Sequence, residues 1–177
     1  MTRREFIRNA AIVGAGALWI PEQLFGADES RSLILHNIHT DDYLDITYFK
    51  NGSYLRDALT HIDNIMVDRR SGDITSMNPG LLDTLYRIQS LSGVQEPIEI
   101  ICGYRSPQTN SKMARPGSGV AKHSYHTRGM AADINIKSLP LEQIRRIARG
   151  LNAGGVGYYP GSGFIHVDVG PVRQWMG

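Results

Sequence analysis

The sequence has little cysteine, little net charge and no long hydrophobic run. Its single cysteine, Cys102, excludes an intrachain disulfide and a multi-cysteine zinc site. The 19 Lys and Arg residues nearly balance the 17 Asp and Glu residues, so the clustered basic surplus that strong nucleic-acid binding requires is missing. We therefore expect no nucleic-acid partner, and we expect any metal ion to be held by carboxylates and by some of the six histidines.

The composition is that of an ordinary folded domain. Of the 177 residues, 41% are hydrophobic and 20% are charged. These proportions exclude a disordered chain, a collagen-like chain and a polytopic membrane protein. No internal repeat, low-complexity tract or linker divides the sequence after its first segment, which predicts a single domain there.

The first 27 residues have the pattern of an export signal. A twin arginine at positions 3–4 precedes an apolar stretch at positions 10–20, and small residues follow at positions 26–27. The stretch is shorter than the roughly 20 apolar residues that cross a membrane, and the twin arginine followed by Glu-Phe-Ile resembles a Tat signal. We expect Tat export to the periplasm, removal of residues 1–27 and a mature domain, residues 28–177, without a membrane span. An amphipathic first helix and an uncleaved membrane anchor are the alternatives.

The rest of the sequence predicts an α+β domain with a mainly antiparallel sheet flanked by helices. Two β-rich runs separated by polar residues predict a hairpin, and apolar residues at helical spacing predict amphipathic helices. Asn78 and Pro79 are typical of a helix start and Gly93 of a helix end. A loop at residues 103–124, with several prolines and glycines, is long enough to be functional. The predicted elements are strands 33–38, 43–49, 97–102, 130–136 and 163–169, and helices 55–66, 79–92 and 141–151.

Two later segments carry the side chains best suited to catalysis. His126 lies just before one predicted strand, Asp133 lies within that strand, and His166 lies in the last predicted strand. Two imidazole nitrogens and one carboxylate oxygen are the ligand set of a catalytic zinc site that keeps its fourth position open. Strand alternation puts His166 and Asp168 on the same face of the sheet. On spacing alone, however, a strand histidine is more often a hydrogen-bonded structural residue than a metal ligand.

The sequence around these residues resembles a known group of enzymes. Ser124 to Asp133 follow the pattern Ser-x-His-x-x-Gly-x-Ala-x-Asp, and His166 follows in a C-terminal strand. This pattern resembles the peptidoglycan metallopeptidases related to zinc D-alanyl-D-alanine carboxypeptidases and to the hedgehog domain. Further stretches are similar to the murein endopeptidase K family, and the similarity extends from about residue 32 to the C-terminus. Those stretches are Tyr48–Tyr54, Asp68–Gly72, Gly103–Ser106 and Gly154–Pro160.

The resemblance implies a fold like that of the hedgehog domain and the D-alanyl-D-alanine peptidases, and it implies roles for four side chains. His126, Asp133 and His166 would bind one zinc ion, which activates water for attack on an amide bond. Arg105 matches the family arginine that steadies the oxyanion or a substrate carboxylate, a task that suits a planar and permanently charged guanidinium. Without the resemblance, the simplest interpretation of Arg105 is a surface salt-bridge partner.

The resemblance leaves the general base open. Several relatives place Glu, Asp or His two or three residues before the last metal ligand, but this sequence has Gly163 and Phe164 there. Asp168 is a candidate either for accepting the proton or for orienting the imidazole of His166. His123 is a second titratable candidate.

These observations predict a zinc-dependent murein endopeptidase that hydrolyses amide bonds in the peptide cross-links of peptidoglycan. We expect the protein to be a monomer. One alternative is a D-alanyl-D-alanine carboxypeptidase or dipeptidase of the same superfamily. The other is a zinc-stabilised module that binds peptidoglycan without cutting it, which the missing upstream base would explain.

Overall fold

The described part of the chain, residues 30–114 and 120–177 of a computed structural model, contains one large mixed sheet. Its strands are β1 (Arg31–Asn37), β2 (Asp42–Lys50), β3 (Ser53–Tyr54), β4 (Ile98–Cys102), β5 (Ala131–Asn135), β6 (Gly155–Tyr159), β7 (Phe164–Asp168) and β8 (Arg173–Met176). Their order across the sheet is β3-β2-β1-β4-β5-β7-β6-β8. Neighbours are antiparallel except for β1 with β4 and β6 with β8. The expected α+β fold is confirmed, whereas the predicted export signal, residues 1–27, lies outside the described residues.

Helices accompany the sheet where the sequence predicts them. The Asn78 side chain accepts a hydrogen bond from the backbone N–H of Gly80, and Pro79 occupies the first helical turn that follows. Gly93 ends that helix with a φ of 73°, a left-handed conformation that favours glycine. The helices are α1 (Arg56–Ile65), α2 (Pro79–Ser92), α3 (Pro107–Met113) and α4 (Leu141–Gly150), with a 3₁₀ helix at Tyr125–Arg128. Within the described ranges, none is both long and apolar enough to cross a lipid bilayer.

The hydrophobic core lies between one face of the sheet and the helices α1, α2 and α4. Ala132 and Ile134 of β5 and Ile165 and Val167 of β7 are buried in it. Since successive side chains of a strand point to opposite faces, the residues between them point away from these helices. The polar side chains of β5 and β7 are thereby collected on the other face of the sheet.

A Tyr–Asp cluster joins the β2–β3 end of the sheet to α2. The hydroxyls of Tyr48 and Tyr54 donate hydrogen bonds of 2.8 and 2.7 Å to the carboxylate of Asp83. The guanidinium of Arg31 lies 2.7 Å from the same carboxylate. Burial, together with Asp83, raises the pKa of Tyr54 to about 12. The stretch Tyr48–Tyr54, which carries part of the family resemblance, thus contributes contacts that hold the hairpin to the helix.

The structure adds one α-helix, α3, and three strands, β3, β6 and β8, to the predicted elements. Part of the predicted loop 103–124 forms α3, whose N-terminus is capped by the Ser106 hydroxyl accepting from the backbone N–H of Thr109. The polar sequence of α3 has no apolar periodicity, which is why the pattern did not indicate a helix. β6 and β8 were also not predicted, because glycines interrupt the first and the second is only 4 residues long.

Candidate metal centre

Three polar side chains converge where β5 and β7 lie side by side. Asp133 and His166 are directly opposite each other in this antiparallel pair, and His126 comes from the 3₁₀ helix just before β5. Nε2 of His126 lies 3.2 Å from Oδ1 of Asp133 and 3.1 Å from Nδ1 of His166. Nδ1 of His166 lies 2.9 Å from the same carboxylate oxygen. The fold therefore brings together the three side chains predicted to bind a metal ion.

The turn that carries His126 explains why the motif also contains Ser124 and Gly129. The Ser124 hydroxyl accepts a hydrogen bond from the backbone N–H of His126 and so caps the 3₁₀ helix. Gly129 ends this helix with a φ of 64°, and a Cβ at that position would lie 2.5 Å from the carbonyl oxygen of Ser76. A side chain at position 129 would thus meet both backbone strain and a clash. Both residues fix the direction from which His126 enters the site.

Hydrogen bonds on the outer side of each imidazole determine which ring nitrogen faces the centre as an acceptor. Nδ1 of His126 lies 2.7 Å from the carbonyl oxygen of Gly103, and Nε2 of His166 lies 3.0 Å from Oδ2 of Asp168. A carbonyl and a carboxylate can only accept, so these outer nitrogens carry the hydrogen. The inner nitrogens then present lone pairs to each other and to Asp133. Three acceptors this close together repel one another unless a metal ion or a proton lies between them.

The donor atoms and their spacing fit a zinc ion. Nitrogen and carboxylate ligands bind zinc at about 2.0–2.1 Å, so ligand atoms on one tetrahedral ion lie about 3.3 Å apart. The three distances here, 2.9 to 3.2 Å, are close to that value. His126, Asp133 and His166 are only 2%, 7% and 8% exposed, so little water is available to separate the three acceptors.

Without a metal ion, a proton neutralises this site. Burial by itself lowers the pKa of His126, but the Asp133 carboxylate and the Cys102 sulfur raise it well above its ordinary value. Burial by itself raises the pKa of Asp133, but His126 and His166 hold it below its usual range. A proton and a metal ion therefore compete for the same buried acceptors.

Asp168 lies behind His166, on the ring nitrogen that points away from the converging atoms. Its Oδ2 is 2.6 Å from Nη2 of Arg173, and its Oδ1 accepts from the backbone N–H groups of Gly155 and Gly170. Burial by itself raises the pKa of Asp168, but the hydrogen bonds from His166, Arg173 and the backbone hold it below its usual range. With its side chain 0% exposed, Asp168 is placed to orient the imidazole.

Arg105 lies beside the carboxylate of Asp133, and it is buried rather than at the surface. Its Nη2 is 3.9 Å from Oδ2 of Asp133, and its Nη1 donates to Oδ1 of Asn110 at 3.4 Å. The residue is 8% exposed, and its Nε is buried without a hydrogen-bond partner in the described part of the chain. A permanently charged guanidinium in this position can stabilise negative charge that develops next to the metal-binding atoms.

Cys102 is a site residue that the sequence did not reveal. A register shift between Ile100 and Cys102 places Cys102 opposite Asp133, whereas Ile100 is opposite Ile134. The sulfur lies with the ligand atoms of His126 and Asp133 in a group whose atoms are all within 4.8 Å of one another. The sequence-based expectation named only histidines and carboxylates as metal ligands, and regular strand alternation cannot indicate the bulge that brings this sulfur beside them.

The comparison with known proteins agrees with the geometry. A sequence profile described as peptidoglycan L,D-endopeptidase MepK matches residues 26–175. The chain belongs to this family. It is 41% identical over 166 residues to the peptidoglycan L,D-endopeptidase MepK of Escherichia coli (strain K12), an alignment that covers 92% of this chain and 91% of the relative. It is 43% identical over 148 residues to the probable peptidoglycan L,D-endopeptidase MepK of Haemophilus influenzae, covering 83% and 80% of the two chains.

An aromatic side chain borders the candidate metal centre of this MepK-family chain. The ring of Trp175 lies 5.2 Å from that of His166, and its Nε1 donates to the hydroxyl of Tyr159 at 2.8 Å. Gly157 makes room for it, since a Cβ there would lie 2.6 Å from the indole. The second candidate for the general base, His123, is exposed in the turn before the 3₁₀ helix.

Proposed function

We propose that the chain is a zinc-dependent murein endopeptidase that hydrolyses amide bonds in the peptide cross-links of peptidoglycan, in particular the L,D bonds named for its relatives. The observation that carries the proposal is the convergence of three buried acceptor atoms from His126, Asp133 and His166. Family membership and two relatives named as peptidoglycan L,D-endopeptidases support the choice of substrate.

The protein side chains hold and orient the metal site. His126 and His166 offer one nitrogen each and Asp133 offers a carboxylate oxygen, while the carbonyl of Gly103 and the carboxylate of Asp168 fix the two imidazoles. A zinc ion bound there would supply Lewis acidity. It would polarise the scissile carbonyl and lower the pKa of water, so that hydroxide is available for attack at neutral pH. The paired strands β5 and β7 hold Asp133 and His166 opposite each other before substrate arrives, and the capped 3₁₀ helix holds His126.

Arg105 and Asp168 have separate tasks in this proposal. Arg105, buried within 3.9 Å of Asp133, stabilises the negative charge on the substrate carbonyl oxygen or binds a substrate carboxylate. Asp168 acts as a positioning residue for His166, because both its oxygens are engaged by hydrogen bonds behind the ring. His123 is left as the candidate for proton transfer.

The predicted signal completes the proposal. Peptidoglycan lies outside the cytoplasm, and the Tat-type pattern of residues 1–27 would direct the folded domain, residues 28–177, to the periplasm. We expect this domain to act there as a monomer. Measuring the mass of the protein recovered from the periplasm would test both the cleavage and the location.

Digestion of purified sacculi tests the activity. We expect the wild-type protein to convert cross-linked muropeptide dimers into monomers, as measured by mass spectrometry, and His126→Ala to lose this activity while remaining folded. Release of terminal D-alanine from intact dimers would instead identify a carboxypeptidase. Binding to sacculi without any released fragment, in the presence of zinc, would identify a binding module.

A further inference from the structure

The side chain of Asn110 lies between Arg105 and the segment that leads to the turn carrying His126. Its Oδ1 accepts a hydrogen bond from Nη1 of Arg105 at 3.4 Å. Its Nδ2 donates to the carbonyl oxygens of Ala121 and Lys122 at 3.1 and 3.0 Å. Asn110 is only 2% exposed, so little water is available to replace these partners. The amide is therefore engaged by the protein through both its oxygen and its nitrogen.

The two carbonyls determine which way the Asn110 amide points. A carbonyl oxygen can only accept a hydrogen bond, so the amide nitrogen faces Ala121 and Lys122 and the amide oxygen faces Arg105. The opposite orientation would set the amide nitrogen against a guanidinium, which only donates, and would leave both carbonyls facing an oxygen. The amide oxygen is thus held in place as an acceptor for Arg105.

The short helix α3 brings Asn110 back against Arg105. Ser106 caps this helix, and the backbone N–H of Asn110 donates to the carbonyl oxygen of Ser106 at 2.8 Å. The backbone N–H of Ser106 itself donates to Oδ2 of Asp68 at 2.9 Å. On the other side of the contact, the backbone N–H of Arg105 donates to the carbonyl oxygen of His126 at 3.2 Å. The backbone is therefore anchored at both residues of the Arg105–Asn110 pair.

The Arg105 guanidinium has few other partners that fix its direction. Its Nη2 lies 3.4 Å from the sulfur of Cys102, a weak acceptor, and 3.9 Å from Oδ2 of Asp133, which is too far for a hydrogen bond. Within the described residues, Asn110 supplies the only oxygen acceptor at hydrogen-bonding distance from this group. Because an amide oxygen is neutral, it orients the guanidinium without cancelling its charge, as a carboxylate would.

We propose that Asn110 is a positioning residue for Arg105, which it directs towards the metal-binding side chains while leaving the positive charge available to the substrate. The inference rests on the role of Arg105 in the proposed function. The amide oxygen holds Nη1, so Nε, which has no partner in the described part of the chain, stays available to an anionic oxygen of the substrate. Without Asn110, the guanidinium can turn, and a displacement of about 1 Å in a catalytic group can cost about 100-fold in rate.

A double-mutant cycle on the zinc-loaded protein tests the proposal. We expect Asn110→Ala to lower kcat/KM for cross-linked muropeptide dimers by about 10- to 100-fold, with one zinc ion still bound per chain. In an Arg105→Leu background, the same substitution should change kcat/KM by less than about threefold, because the group that Asn110 positions is gone. Gln108→Ala, at an exposed position of α3, is the matched control and should leave kcat/KM unchanged.

The cycle separates positioning from a purely structural role. Equal losses in the wild-type and Arg105→Leu backgrounds would show that Asn110 only tethers the segment with Ala121 and Lys122, and they would overturn the inference. An unchanged kcat/KM in Asn110→Ala would overturn it as well. Should circular dichroism show that Asn110→Ala is unfolded, Asn110→Ser, which retains a donor for the two carbonyls, takes its place in the cycle with the same expected coupling.

The wild-type protein distinguishes this inference from the proposed function. A wild-type protein that binds zinc but releases no muropeptide monomers would overturn both. An active wild-type protein whose losses at positions 105 and 110 are additive would overturn the positioning role alone.

Discussion

Nε2 of His166 lies 3.0 Å from Oδ2 of Asp168, on the side of the imidazole opposite the nitrogen that faces Asp133. The same carboxylate is held by two guanidinium nitrogens of Arg173 at 3.0 and 2.6 Å. The carboxylate therefore fixes the ring and is itself fixed from behind. This relationship makes the role of Asp168 directly testable.

We predict that Asp168→Asn weakens zinc binding by about 10- to 100-fold, the usual effect of removing a partner that orients a metal-binding histidine. Hydrolysis should recover when zinc is added in excess. Zinc titration and muropeptide release measure the two effects, with the exposed Asp45→Asn as the control. A loss of activity with unchanged zinc affinity would instead assign Asp168 to proton transfer.

Arg105→Lys should lower the rate of hydrolysis by about 100- to 1000-fold, because a lysine cannot reproduce the planar donors of the guanidinium. One zinc ion per chain should remain bound, since Arg105 is not a ligand. Metal analysis and the rate of muropeptide release test this prediction, with Arg56→Lys at the exposed start of α1 as the matched control. An unchanged rate would show that Arg105 has no part in the reaction.

Gly154→Ala should destabilise the protein by about 1–3 kcal/mol, because its Cβ would overlap the backbone carbonyl of Asp168. The displaced backbone should also weaken zinc binding. Gly150→Ala, at the end of α4, is the control, since nothing lies within 4 Å of the added Cβ. Urea unfolding compares the two variants, and equal free energies of unfolding would contradict the clash.

Acid should remove the stabilising effect of Asp68. Burial by itself raises the pKa of this carboxyl, but hydrogen bonds from Thr109 and from the backbone of Ser106 and Arg70 hold it below its usual range. Its charged form therefore stabilises the fold above the unfolded-state pKa of about 3.9, and this contribution is lost as the pH falls further towards the folded-state value.

Asp68→Asn should accordingly cost about 1–3 kcal/mol at pH 7 and progressively less below pH 4. Urea unfolding of both proteins at a series of pH values, with a chelator present throughout, measures the difference. A difference that stays constant down to pH 2 would contradict the assigned cause.

Removal of the metal should inactivate the protein without unfolding it. The core between the sheet and α1, α2 and α4 does not include the metal-binding side chains. We expect a chelator to abolish hydrolysis and lower the melting temperature, with the far-ultraviolet circular dichroism retained and zinc restoring activity. Unfolding by the chelator alone would show that the metal is also needed for the fold.

Strand alternation predicted that two of the side chains share a face, whereas the assignment of His126, Asp133 and His166 to one metal site came from the family resemblance. His166 and Asp168 share a face because β7 is a regular strand, and the capped turn after Ser124 directs His126 towards them. The position of Cys102 depends on one extra residue between two paired strands, which no local pattern of apolar residues encodes.

The strands β6 and β8, which the sequence did not predict, depend on long-range contacts. β8 pairs in parallel with β6, and the fit of Trp175 against Gly157 only becomes visible when the strands are side by side. Glycine disfavours a strand locally, so the tertiary contact overrides the local preference there.

The separation of the two faces of β5 and β7 has a consequence for how such a protein can change. Substitutions in the helical layer can tune heat resistance while the hydrolytic chemistry stays as it is, because the two properties are carried by alternate residues of the same strands. Thermal tolerance and catalytic power are thus separable for substitutions in α1, α2 and α4, whereas changes on the metal-binding face are expected to affect both.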